Sequence, residues 1–245
     1  MMKYLFEPCF VNITDENEYL SKIDETIKSN SKRTFFYLNS HSYYTANKNL
    51  KFKEALNKSD FIIADGYSIV WAIKKLSGNS INKVVFTYSF FDGMKKVFEQ
   101  NNANLFFLGG TSEIISKSAE VMKRKFPNLN LTDFHHGYFD KENESDSIIE
   151  KINASKANVL IVGMGLPLSE LWIQENKDKI NANCIFSVGG FFDVLSGSKR
   201  TSPKWLYNSG LEWVYRLFKE PGRLFGRYLR SNLFFLKKLY FRNSK

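Results

Sequence analysis

A unit of two parts repeats along this chain: an apolar run of strand length that ends in glycine or a small polar residue, and a longer segment with helical spacing. The apolar runs fall at residues 34–38, 61–64, 104–108, 129–134, 158–162 and 184–188, and helical spacing appears at 18–28, 42–55, 68–76, 90–99, 112–125, 145–151 and 169–179. Such alternation argues a parallel sheet with crossover helices, an α/β fold of Rossmann-like parallel sheet flanked by helices. Ligands of open parallel sheets bind outside the carboxyl ends of the strands. The residues just after each run are Asn39-Ser40, Asp65-Gly66, Gly109-Gly110-Thr111, Gly137-Tyr138, Gly163-Met164-Gly165 and Gly189-Gly190, six loops able to meet in one crevice.

With 245 residues, 43% of them hydrophobic, the chain is long for one small domain and short for two. The charge shows where the division falls. Residues 199–245 carry twelve Lys or Arg against Glu212 and Glu220, while the other 198 residues hold 23 cations and 23 anions. A neutral body at 1–197 is therefore expected to carry a C-terminal basic amphipathic helical appendage at 198–245. Pro221 and Gly222 break the appendage into two helices. In the second, Arg223, Arg227 and Arg230 share one face, and Leu224, Phe225, Tyr228, Leu229 and Phe235 fill another. Cations with aromatic anchors suit an anionic membrane surface. No run approaches the roughly 20 apolar residues of a membrane span, and the first residues lack a signal-peptide core. Cys9 and Cys184 form neither a disulfide framework nor a metal spacing, which makes the cytosol the expected compartment.

In the segment FIIADGYSIVWAIKKLSG, Asp65 ends an apolar run at the point where the crevice should open. It suits a general base in a partly dry cleft, or an N-cap for the helix near Ser68. In NLFFLGGTSE the glycine turn before Thr111 leads into a helix start that suits a phosphate or ribose, and equally an ordinary strand-to-helix turn. GMGLPL lacks the third glycine of a dinucleotide fingerprint and is interrupted by Pro167, which excludes nicotinamide binding. His41, His135 and His136 lack accompanying ligands and fit turn or surface positions. No Asp-x-Asp segment, nucleophile elbow or P-loop is present, so an enzyme of this sequence is expected to work without a metal.

Taken together, FIIADGYSIVWAIKKLSG, LFFLGGTSEIISKSAEVMKRKFPNL, HGYF, GMGLPLSELWI, GGFFDVLSG and SPKWLYNSGLEWVYRLFKEPGRLFGRYL run in the order seen in one family. The chain resembles the WecG/TagA/CpsF glycosyltransferases, glycosyltransferase family 26, from about Asn39 to Leu229. The resemblance implies transfer of a sugar from a UDP-sugar donor to a polyprenyl-diphosphate-linked saccharide in bacterial surface polysaccharide synthesis, with UDP-sugar as substrate and no cofactor. It implies an inverting, metal-independent enzyme, peripheral on the cytoplasmic face of the membrane, whose appendage completes the active site. Asp65 matches the proposed base, Asn39 a pocket asparagine, and Arg216, Arg223 and Arg227 the arginines thought to reach the diphosphate. Gly66, Gly109, Gly110, Thr111, Gly137, Tyr138, Gly163, Gly165, Pro167 and Glu170 are then expected to hold nucleotide and sugar.

The sequence departs from the family at Tyr37, where a threonine is usual, at Ser169 in place of glutamine, and in KVVFTY, where Phe86 and Tyr88 replace glycine and aspartate. These changes sit toward the donor sugar, so its identity is not carried over. They also keep a second reading in play, a noncatalytic family member assisting another glycosyltransferase. An RNA-binding role for the aromatic, arginine-rich tail is disfavoured by its helical spacing and by the neutral body, and no nucleic-acid partner is expected. Homo-oligomerisation is left open.

Overall fold

A computed structural model describes residues 1–77, 87–200, 202, 206 and 212–242. Lys83 to Phe86, and the side chains of Tyr88 and Arg223, lie outside the described residues. The chain begins with two strands, β1 (Met2–Phe6) and β2 (Cys9–Ile13), then α1 (Glu16–Ser29), β3 (Arg33–Leu38), α2 (Ser40–Lys48), α3 (Leu50–Asn57), β4 (Phe61–Ala64) and α4 (Tyr67–Ser77). It continues with α5 (Thr87–Gln100), β5 (Asn104–Gly109), α6 (Ser112–Lys125), β6 (Asn130–His135), α7 (Ser145–Ala154), β7 (Val159–Gly163), α8 (Leu168–Asn176), β8 (Cys184–Ser187) and α9 (Phe191–Leu195). The appendage supplies α10 (Glu212–Lys219) and α11 (Pro221–Arg242).

The strands form one eight-stranded sheet in the order β1-β2-β4-β3-β8-β7-β5-β6. From β2 through β6 the pairings are parallel. The expected parallel sheet is extended by an antiparallel hairpin, with Met2 opposite Ile13 and Phe6 opposite Cys9. Alternate residues of each parallel strand enter different cores, as the period of two requires. Phe36, Leu38, Ile62, Ala64, Leu108 and Val162 face α2, α3, α4, α7 and α8. Phe35, Ile63, Phe107, Ile161 and Phe186 face α1, α5, α6 and α9.

Local chemistry explains the boundaries. The single helix expected over 42–55 is two, because the side chain of Asn49 turns to cap α3, accepting from the Phe52 amide at 3.0 Å. Thr111 caps α6 in the same way. Pro221 opens α11, where its missing N–H costs nothing. α11 lies along α2, and Phe235 of α11 is 2% exposed, with ring contacts to Tyr43 at 5.3 Å and Phe6 at 6.1 Å. Phe234 meets the edge of Tyr44 at 5.3 Å. The inner face of the appendage helix thus joins the core of the body. Its outer face leaves Phe225, Leu229, Leu233, Leu236 and Tyr240 exposed.

Candidate active site

Because β3 and β4 are parallel neighbours, the residues that follow them meet at one edge of the sheet. The Asp65 amide donates to the Leu38 carbonyl at 2.7 Å, which continues the β3–β4 ladder one step and brings Asp65 beside Asn39. Asn39 is held from two directions. Its Oδ1 accepts from the amides of His41 and Ser42 at 3.1 and 2.9 Å, and its own amide donates to the Ser42 hydroxyl, a capping box for α2. With Oδ1 committed, Nδ2 donates to Asp65 Oδ2 at 3.1 Å. A helix cap therefore orients the carboxylate. α4 starts at Tyr67, so Gly66, at φ +80, holds the position before the helix, and Asp65 stands one residue further out.

The glycine loops meet in a second cluster. Gly110 donates to the Gly163 carbonyl at 3.1 Å and Gly137 to the Gly110 carbonyl at 2.9 Å, which ties the ends of β5, β6 and β7 together. At Gly109 the φ is +147, and a Cβ there would lie 2.3 Å from the Gly163 carbonyl oxygen. Three loops can approach this closely only as bare backbone. Thr111 and Tyr138 are exposed at the rim. Asn39 and Gly163 follow strands two places apart in the sheet, so the two clusters are separated by roughly 10 Å at the usual strand spacing.

Beyond Gly165 and Pro167 the loop turns inward. The Ser169 hydroxyl accepts from the Met164 amide at 2.9 Å and closes the turn. Glu170 is 5% exposed, and its Oε1 accepts from the Ser187 hydroxyl at 2.6 Å. Its Oε2 is buried without a hydrogen-bond partner among the described residues. Burial pushes the carboxyl up to about 7 against the relief given by Ser187. Tyr37, at the family's threonine position, points to the α1 side, where its hydroxyl meets Tyr19. Burial raises the pKa of both phenols, and the charge of Asp65 adds to the rise at Tyr37.

The appendage packs along α2, the helix that Asn39 caps. Burial, followed by the charges of Arg227 and Arg230, pushes His41 at the start of α2 down to about 4. Arg216 is exposed on α10, and the side chain of Arg223 is outside the described residues. Sequence reasoning named Arg230 only as part of a basic face and gave His41 no role. The 185 residues between His41 and Arg227 leave no local signal that α11 packs along α2. Among the described residues no three His, Cys, Asp or Glu side chains cluster as metal ligands, and no helix is long and apolar enough to cross a membrane.

A mostly parallel sheet flanked by helices, with a carboxylate and glycine-floored loops after its parallel strands, defines an α/β protein of Rossmann-like architecture. The chain belongs to the WecG/TagA/CpsF family of glycosyl transferases, whose model matches residues 7–245. Among its relatives is an N-acetylglucosaminyldiphosphoundecaprenol N-acetyl-beta-D-mannosaminyltransferase of Staphylococcus aureus (strain MW2), 29% identical over 76% of this chain and 71% of that one. A protein of the same name from Bacillus spizizenii is 28% identical over 84% of this chain and 79% of its own length.

Proposed function

We propose that this glycosyltransferase moves a sugar from a UDP-sugar to a polyprenyl-diphosphate-linked saccharide in surface polysaccharide synthesis, with inversion and without a metal. The observation that carries this reading is the Asn39–Asp65 hydrogen bond at the carboxyl ends of β3 and β4, on the side of the sheet where α11, which bears Arg227 and Arg230, packs along α2. Asp65 takes the proton of the acceptor hydroxyl as that oxygen attacks the anomeric carbon. The bond from the anomeric carbon to the diphosphate oxygen breaks, and UDP leaves with the electron pair. Guanidinium groups stabilise the charge that develops on the diphosphate. Asn39 orients the carboxylate to receive that proton. The Gly109–Thr111, Gly137–Tyr138 and Gly163–Glu170 loops receive the nucleotide, and Ser169, Ser187 and Glu170 keep the last of these in shape.

The names of the relatives support a lipid-diphosphate saccharide as acceptor. The outer apolar stripe of α11, bordered by Lys237 and Lys238, supports a peripheral position on the inner face of the membrane. Domain roles follow: residues 1–197 bind donor and hold the base, and 198–245 dock on lipid and deliver arginines. The test is UDP release across a panel of UDP-hexoses and UDP-N-acetylhexosamines, with a membrane lipid extract as acceptor. Release with one donor, dependent on lipid and lost by more than about 10²-fold in Asp65→Asn, is expected. An Asp65→Asn variant that keeps more than about a tenth of wild-type turnover rejects the base assignment, since a general base usually contributes at least 10²-fold.

A further inference from the structure

α4 leaves the Asp65 loop with an unusual outer face. Its inner residues Ile69, Ala72 and Ile73 are buried, as an amphipathic helix requires, but Tyr67 is 56% and Trp71 44% exposed. These two are four residues apart, and Lys74 and Lys75 continue the same face at positions i+7 and i+8. The Lys75 ammonium stands 5.2 Å from the centroid of the Trp71 ring. At Gly66, between Asp65 and Tyr67, a Cβ would meet nothing within 4 Å among the described residues, so the backbone beside the carboxylate is uncrowded by them. Two large exposed aromatics in line, with cations behind them, make a contiguous patch of the kind that marks a ligand site.

We infer that Tyr67 and Trp71 form a stacking platform for the saccharide of the lipid-linked acceptor, with Lys74 and Lys75 receiving its diphosphate. The inference rests on the function proposed above and adds a subsite to it. The order of groups along α4 matches the order along such an acceptor. The reacting hydroxyl lies at Asp65, the sugar rings follow, and the diphosphate comes last. Tyr67 and Trp71 are separated by about 6 Å of helix rise, close to the width of one pyranose ring. A sugar presents a C–H face to an aromatic ring and keeps its hydroxyls in water, which suits half-exposed Tyr and Trp. The ammonium over Trp71 favours an anionic saccharide diphosphate over acyl chains, which offer it no partner.

The experiment measures binding, by calorimetry without liposomes, of N-acetylglucosaminyl-diphospho-farnesol, farnesyl diphosphate and UDP to the full chain. Trp71→Ala should weaken the saccharide probe at least tenfold, leave farnesyl diphosphate and UDP within twofold, and be rescued by Trp71→Phe. The Lys74→Ala, Lys75→Ala pair should weaken both diphosphates. Equal loss of the sugar-free probe in Trp71→Ala, no loss of either, or absence of saccharide binding by the wild type overturns the platform. So does a Trp71 effect that appears only with anionic vesicles, which assigns the ring to the membrane instead. Wild-type protein that binds UDP while Trp71→Ala leaves the saccharide unaffected sinks the platform and spares the transferase reading; protein that binds no UDP sinks that reading itself.

Discussion

Replacing Asn39 by Asp separates two jobs that one side chain performs. Asp is as good a helix cap as Asn, so the bonds from the His41 and Ser42 amides survive, and the cost to stability from the cap should be under about 0.5 kcal/mol. The other half of the side chain changes sign. In place of an N–H donating to Asp65 Oδ2 at 3.1 Å, the variant sets a second carboxylate there. Two charges at that distance repel by about 5 kcal/mol at an effective dielectric of 20 and about 1 kcal/mol in water. Both residues are half-buried, so the penalty lies between these limits, enough to raise the apparent pKa of the pair by at least one. The acid limb of the pH profile of kcat/KM for UDP release should therefore move up by one or more, with the melting temperature nearly unchanged. Asn39→Ala supplies the contrast. It removes the cap, at about 1 kcal/mol, but adds no charge, so it should lose stability while its acid limb moves less. An Asn39→Asp enzyme that is folded, active and unshifted on the acid side refutes the argument that Asp65 is the base and that Asn39 orients it.

Two further variants probe the frame of the site. Phe235→Ala removes the ring that α11 inserts between Phe6 and Tyr43, and about 3–5 kcal/mol should be lost from the docking of that helix. UDP affinity should fall with it, because Arg227 and Arg230 are carried on the same helix; unchanged affinity in a variant whose helix has loosened by hydrogen exchange counts against a role for them. Gly109→Ala combines a positive φ with a Cβ 2.3 Å from a backbone oxygen that cannot rotate away, so a loss of about 3 kcal/mol or more is expected, seen as a fall of roughly 6–12 °C in Tm.

What could be read in advance divides by range. The parallel strands were legible because each is a run of apolar residues bounded by glycine or polar turns, and β4 begins and ends where the pattern placed it. The hairpin of β1 and β2 was not, since Glu7 and Pro8 interrupt an alternation only five residues long on either side. The cap at Asn49 was hidden for a different reason. Asparagine is tolerated inside helices, and Phe52 and Ala55 continue the apolar spacing across it. In the site, Asp65 stood out from its place after a strand, but its pairing with Asn39 depends on the order of strands in the sheet. The effect of Arg227 and Arg230 on His41 depends on where α11 docks, which no local pattern encodes.

Glu170 and His41 make a last test, because burial acts on them in opposite directions. Glu170 has its pKa raised from 4.5 to about 7, so the native state holds more protons than the unfolded chain between these values. Stability is lost as pH rises through that window, by about 3 kcal/mol, and is flat above it. His41 is lowered from 6.5 to about 4, so the native state holds fewer protons there, and stability is lost as pH falls. Its partial exposure reduces that loss to about 1–2 kcal/mol. The two windows overlap between pH 4.5 and 6.5, where their slopes oppose each other and the wild type should look flatter than either group alone. Glu170→Gln unmasks the difference. Its amide oxygen can still accept from Ser187, yet no charge is buried, so the variant should exceed wild type by up to about 3 kcal/mol in urea unfolding at pH 8.5 and match it near pH 4. A gap that is the same at both values would mean that the Glu170 carboxyl titrates alike in the native protein and the unfolded chain, and would refute the shift. The same variant also bears on function: an unchanged KM for the donor fits a carboxyl that shapes the Gly163–Glu170 loop from within, and a raised KM would place it against the ligand.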